Sequence, residues 1–270
     1  MKTRIITAVV ALLIFIPVVI FANTTLFTLS GFELKLINLA LALLSVVGAY
    51  EGLKCIGAHK TPFMLLAFIT AAALPLLTYD SLNIYAPVFI LLLFALLFGG
   101  VICNKTVTCD KVLTAFALTF YVTASFGAMA VLYNTSVKLF PLIFIGAWVT
   151  DTFAYFTGFF LGKHKLIPSV SPKKTVEGAI GGSLATTIVY GVYAWLMTGE
   201  VTTTVLITLA GLAASVVSQM GDLSASLIKR HWGIKDYGNL FPGHGGVLDR
   251  FDSILAVSAF LYVVSLFVKI

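Results

Sequence analysis

The stretch SLIKRHWGIKDYGNLFPGHGGVLDRFD, residues 226–252, gathers Lys229, Arg230, Lys235, Asp236, His244, Asp249, Arg250 and Asp252 into one connection. Charged residues make up only 10% of the 270-residue chain, so charge is concentrated here. Apolar runs flank the stretch at about residues 202–228 and 248–268. Each matches the roughly 20 residues a helix needs to cross the hydrocarbon core of a bilayer. The pattern predicts two membrane helices meeting at an aqueous loop, with its charged groups at the membrane surface, where lipid-directed chemistry is possible.

Working outward, the rest of the chain supports the same class. Hydrophobic residues are 60% of the sequence and the mean hydropathy is +1.05, against about half apolar and about a quarter charged in soluble domains. The expected fold is all-α, a polytopic membrane protein of about nine spans near residues 5–22, 34–52, 62–79, 84–102, 112–133, 139–161, 179–198, 202–228 and 248–268. The first resembles a signal peptide in its basic start and apolar centre but lacks a clear small-residue cleavage site, and reads as a retained span. By content the chain divides into residues 1–135, a scaffold of spans 1–5 with expected lipid or dimer contacts, and residues 136–270, where spans 6–9 carry the chemistry.

Nine spans put the N-terminus and the loops after spans 2, 4, 6 and 8 on one side. That side holds Lys2, Arg4, Lys54, Lys60, Lys105, Lys111, Lys163, Lys165, Lys173, Lys174, Lys229, Arg230, Lys235 and Arg250, and the opposite side only Lys35, Lys138 and Lys269. The asymmetry identifies the even loops as cytoplasmic. It also accounts for the net charge of +6 without a nucleic-acid partner, since no soluble domain is present to carry a basic face. Cys55, Cys103 and Cys109 form no CxxC pair and read as ordinary thiols.

The first half offers one carboxylate near membrane depth, Glu51, which could cap a helix end, snorkel to the surface or line a cavity. The second half is different. In span 6, Asp151, Tyr155 and Gly158 recur at helical spacing, and the cost of a carboxylate facing lipid predicts that this face turns inward. Next, Ser171, Pro172, Lys173, Lys174 and Thr175 precede a glycine-rich helix start, where ammonium groups, hydroxyls and backbone N–H groups together suit a phosphate. The competing reading is a basic anchor at anionic headgroups, preferred for Lys163 and Lys165. No Walker A loop is present.

Asp222 and Ser226 lie one turn apart near the end of span 8, and Asp249 and Asp252 share a face at the start of span 9. Carboxylates with no cysteine and little histidine suit magnesium, which takes one or two carboxylates plus substrate phosphates. The alternative is a buried Asp–Arg network around Arg250. Carboxylates for a cation, several lysines and arginines for phosphates, and a site open to water and lipid point to phosphoryl or nucleotidyl transfer onto a membrane-borne acceptor. A serine hydrolase is disfavoured because no GxSxG elbow occurs.

These residues resemble the signature of the CDP-diacylglycerol synthases, or phosphatidate cytidylyltransferases, of bacterial type. That signature runs S-x-hydrophobic-K-R-x4-K-D-x-small-x2-hydrophobic-P-x-H-G-G-hydrophobic-x-D-R-hydrophobic-D. Ser226, Lys229, Arg230, Lys235, Asp236, Gly238, Leu240 or Phe241, Pro242, His244, Gly245, Gly246, Asp249, Arg250 and Asp252 supply it without an insertion. Asp151, Tyr155, Gly158 and the SPKKTVEG segment resemble the family's upstream blocks. The likeness is strong over residues 145–255 and elsewhere rests on span layout.

The resemblance implies cytidylyl transfer from CTP to phosphatidic acid, giving CDP-diacylglycerol and pyrophosphate, at the cytoplasmic face of a bacterial inner membrane. It further implies a homodimer, Mg2+ held by Asp222 and Asp249, and a second cation, divalent or K+. Catalytic places go to Lys229, Arg230, Lys235, Asp236, His244, Arg250 and Asp252. Substrate-binding places go to Ser171, Lys173, Lys174, Thr175, Glu177, Ser226, Gly245, Gly246, Asp151 and Tyr155. Two alternatives stay open: a CTP-dependent polyprenol or phytol kinase, with Asp236 or His244 as base, and a transporter, which usually shows inverted repeats not found between these halves.

Overall fold

The structure is a computed structural model and describes residues 13, 17, 20–29, 32–61, 64–77, 83–105 and 107–268. The chain forms two compact units, residues 1–131 with 234–250 and residues 132–233 with 251–270.

Among the described residues are eight helices and two hairpins. The helices are α1 Leu36–Cys55, α2 Leu65–Leu77, α3 Tyr85–Ile102, α4 Cys109–Thr135, α5 Phe140–Leu161, α6 Val176–Thr198, α7 Val201–His231 and α8 Leu248–Ser265. Six of them, α1 and α3 to α7, are long and apolar enough to cross a membrane. The all-α polytopic class therefore holds. Of the nine expected spans, the first lies largely outside the described residues, and each of the other eight coincides with a helix. Two of those eight are not full apolar spans. α2 has 13 residues, short of a complete crossing, and α8 carries Asp249, Arg250 and Asp252 in its first turns.

The two hairpins were not expected from hydropathy. β1 (Thr25–Leu29) pairs antiparallel with β2 (Phe32–Lys35), and β3 (Lys165–Ile167) pairs with β4 (Ser171–Thr175) in the register Lys165↔Thr175, Ile167↔Ser171. The SPKKT cluster is thus a strand rather than an open loop. It ends where Thr175 becomes the N-cap of α6, its Oγ1 accepting from the Gly178 N–H at 3.1 Å. Such caps stabilise a helix start by about 1 kcal/mol.

In the first unit Leu41, Leu53, Ala67, Leu74, Leu96, Val122 and Phe126 are buried. Asn38 on α1 donates from Nδ2 to the Pro75 carbonyl at 3.3 Å. That carbonyl is one of the last four of α2, which have no partner within their own helix. In the second unit, too, polar bonds join helices. Tyr190 donates to the Leu142 carbonyl at 2.6 Å, and Thr150 and Thr186 meet at 2.7 Å. Hydroxyl bonds of this kind hold helices together where lipid offers no hydrophobic drive for association.

Small residues set how close those helices come. A Cβ at Gly158 would lie 2.8 Å from Thr175 Oγ1 and 3.6 Å from Gly178 Cα, and one at Gly182 would lie 2.7 Å from the Thr150 carbonyl. Gly158 therefore does permit the close approach its spacing suggested. Tyr155 does not share that inward face: it is 66% exposed and stacks on Phe159. The helix turns 100° per residue, so Tyr155 lies about 40° round from Asp151, on the side away from the buried Ala147 and Thr150, and Asp151, also expected to turn inward, is exposed as well.

Candidate active site

The second unit builds its polar centre from four elements, β4, α5, α7 and α8. β4 presents Lys174, whose ammonium meets Asp222 Oδ2 on α7 at 2.5 Å, the two side chains being 23% and 29% exposed. Asp222 Oδ1 also receives the Ser226 hydroxyl at 3.5 Å, one turn along, as the spacing predicted. Asp151 accepts from the Ser253 hydroxyl at 3.3 Å, and Asp252 Oδ1 from the Ser253 N–H at 2.8 Å. The carboxylates of Asp151 and Asp252 are each close enough to feel the charge of Asp222. Lys229 is buried beside them, while Lys173 and Arg230 are exposed.

Three clustered carboxylates, Asp151, Asp222 and Asp252, share two ammonium groups, Lys174 and Lys229, which leaves an excess of negative charge. Hard, multiply charged cations suit such a donor set. Among the described residues no three His, Cys, Asp or Glu side chains already converge as a closed metal-binding group.

Glu177 has another partner. Its carboxylate takes the His164 backbone N–H at 3.2 Å and lies 2.6 Å from His164 Nδ1, tying the start of α6 to the entry of the β3–β4 hairpin. His164 was not singled out from sequence, because only the hairpin brings position 164 beside position 177. Ser253 was missed too, and only its place beside Asp252 hinted at it.

The first unit holds the centre of the signature. Phe241 and Gly245 form a bridge, Phe241 N–H donating to the Gly245 carbonyl at 2.9 Å and His244 N–H to the Phe241 carbonyl at 2.8 Å. Gly243 and Gly245 have φ of +78° and +86°, a left-handed backbone that favours glycine. Asp249 closes the turn. Its Oδ2 accepts from the Tyr237 N–H at 2.8 Å and the Gly246 N–H at 2.9 Å. Arg250 donates from Nε to the His244 carbonyl at 2.7 Å, while Lys235 and Asp236 are exposed. The Asp249 carboxylate, 9% exposed, is thus oriented by backbone donors.

Glu51 belongs to this centre. It accepts from the Val247 N–H at 3.0 Å and the Leu248 N–H at 2.9 Å. Of the three readings open to it, two are realised: it caps a helix, α8 rather than its own, and it lines a cavity. Beside it a cavity of about 240 Å³ is lined by Tyr50, Glu51, Lys54, Tyr237, Gly238 and Leu240 among others.

Known proteins resemble this chain along nearly its whole length. The profile described as the cytidylyltransferase family matches residues 2–268. The chain is 35% identical over 267 residues to the phosphatidate cytidylyltransferase of Staphylococcus haemolyticus, covering 95% of this chain and 96% of that one. Against the protein of the same name from Staphylococcus aureus it is 32% identical over 274 residues, with the same coverage. A shorter match to the Bacillus subtilis protein reaches 48% over 115 residues, 43% of this chain and 42% of that one. With profile and relatives spanning nearly its full length, and the signature turn folded around its own carboxylates, the chain belongs to the cytidylyltransferase family.

Proposed function

We propose that this protein transfers a cytidylyl group from CTP to phosphatidic acid, giving CDP-diacylglycerol and pyrophosphate in phospholipid biosynthesis. The single observation that carries the reading is the Lys174–Asp222 pair, which sets an ammonium suited to phosphate against a carboxylate suited to a cation in a chain of this family. The names of its full-length relatives supply the acceptor lipid.

The phosphatidate phosphate is itself the nucleophile. Its oxygen attacks the α-phosphorus of CTP as the bond to the β-phosphate oxygen breaks, and pyrophosphate leaves with the electron pair. No serine or cysteine nucleophile is needed. The protein's work is to neutralise phosphate charge and hold attacking oxygen, phosphorus and leaving group in line. Lys173, Lys174, Lys229, Arg230, Lys235 and Arg250 are the groups we assign to the phosphates. Asp222 and Asp249 are assigned to Mg2+, with Asp151 and Asp252 nearby and a second cation, divalent or K+, included in the proposal. Bound there, Mg2+ supplies charge neutralisation and polarisation of phosphoryl oxygens.

The lysine and arginine distribution supports a cytoplasmic site in a bacterial inner membrane, the side on which CTP is found. A homodimer is part of the same proposal. Purified protein given phosphatidic acid, Mg2+ and labelled CTP tests the reaction. We expect α-phosphorus label in the lipid and γ-label in pyrophosphate. Label from the γ-phosphate in the lipid overturns the reading in favour of a lipid kinase.

A further inference from the structure

The start of α8 has an unusual cap. A helix leaves its first N–H groups without partners in its own helix, and the usual remedy is a Ser, Thr, Asp or Asn side chain at the N-cap. Here the N-cap, the residue before Leu248, is Val247, whose side chain cannot accept a hydrogen bond. The nearby Asp249 has its Oδ2 committed to Tyr237 and Gly246. The two donors are instead met by Glu51, which is 196 and 197 residues away in sequence and only 3% exposed.

The surroundings are shaped to this carboxylate. A Cβ built at Gly238 or at Gly246, both within the signature, would fall onto the Glu51 carboxyl group. On the same face of α1, one turn apart, Gly48 and Gly52 leave room for the Leu248 side chain, at 3.1 and 3.7 Å from the positions their Cβ atoms would take. α1 thus grips the first residue of α8 twice, through a carboxylate on the backbone and through glycines around the side chain. Asp249 and Arg250 follow immediately.

We propose that Glu51 is a positioning residue for the signature turn: by clamping the Val247 and Leu248 N–H groups it sets the entry of α8 and hence the placement of Asp249 and Arg250. The proposal explains two signature glycines that need no positive φ as space for an acidic side chain from a remote helix. Its effect on turnover rests on the cytidylyl-transfer reading, whereas its effect on the backbone does not.

Two measurements on the full-length protein in detergent test it. In Glu51→Gln, which keeps shape but turns one acceptor into a donor, amide hydrogen exchange over residues 245–250 should quicken without substrate. With CTP and phosphatidic acid, kcat should fall by about 10- to 100-fold, the range misplacement of reacting groups produces, while the KM for CTP moves less than about twofold. The second is a double-mutant cycle. Gly238→Ala alone, forcing a methyl onto Glu51, should lower kcat, and in a Glu51→Ala background the same substitution should cost little more.

Native exchange rates in Glu51→Gln, or additive losses in the cycle, would overturn the clamp. Should Glu51→Gln not survive purification, Glu51→Asp, one methylene too short to reach both donors, gives the same exchange reading. A protein that shows the exchange effect but no cytidylyl transfer keeps the clamp and refutes the assigned reaction.

Discussion

The two units use the same kind of side chain in opposite ways. In the first, Glu51 and Asp249 are 3% and 9% exposed and accept only backbone N–H groups in the bonds described above. In the second, Asp222 is 29% exposed and meets the ammonium of Lys174, itself 23% exposed. A buried carboxylate satisfied by fixed backbone donors holds a chain segment in one place, because losing those bonds costs the full desolvation of the charge. A half-exposed pair between two side chains can open when phosphate and cation arrive, since each partner finds a new counter-charge. The contrast separates a carboxylate that shapes the signature turn from one that meets a side-chain counter-charge, although Asp249 and Asp222 look alike in sequence.

The sharpest way to break this comparison is to neutralise both aspartates. Asp222→Asn and Asp249→Asn should each reduce turnover by roughly 10³-fold, the upper range for losing electrostatic stabilisation of a transferring group. Only Asp249→Asn should also loosen the turn, costing about 1–3 kcal/mol in stability with faster amide exchange at residues 237–246. Equal exchange profiles for the two variants would erase the contrast between the units.

A smaller effect separates neighbouring lysines. Lys174→Ala removes the partner of Asp222 and should raise the KM for a phosphate-bearing substrate by about tenfold, the size of one charge-assisted bond. Lys173→Ala, whose side chain is exposed, should change it by only about twofold. Steady-state kinetics on both variants decides, and an unchanged KM in the double variant would return the SPKKT strand to a membrane anchor.

The smallest effect is structural. Thr175→Val deletes the side-chain cap on α6 and should lower stability by about 1 kcal/mol, read as a modest drop in thermal midpoint. Because the β4 strand carries Lys174 directly into this cap, a slight rise in KM should accompany it. A larger loss of activity than in Lys174→Ala would mean that the cap, not the ion pair, governs the hairpin.

Hydropathy by itself determined the membrane class and the position of every described helix to within a few residues, because crossing hydrocarbon demands an uninterrupted apolar run and leaves little freedom. Motif spacing by itself determined the family, since fourteen positions from Ser226 to Asp252 match without an insertion. One-turn neighbours such as Asp222 and Ser226 were legible for the same reason, as helix geometry alone brings them together. Only the tertiary structure decided what each acidic group bonds to. Glu51 reaches Val247, Lys174 reaches Asp222 and His164 reaches Glu177 across chain separations that carry no periodic signal. It likewise divided the signature, placing Asp249 with the first unit and Asp252 with the second, and left Tyr155 exposed where spacing had turned it inward. Local rules act over one or two turns of chain, whereas a buried carboxylate takes whichever N–H or ammonium the packing brings within hydrogen-bond reach, and that choice exists only once the chain has folded.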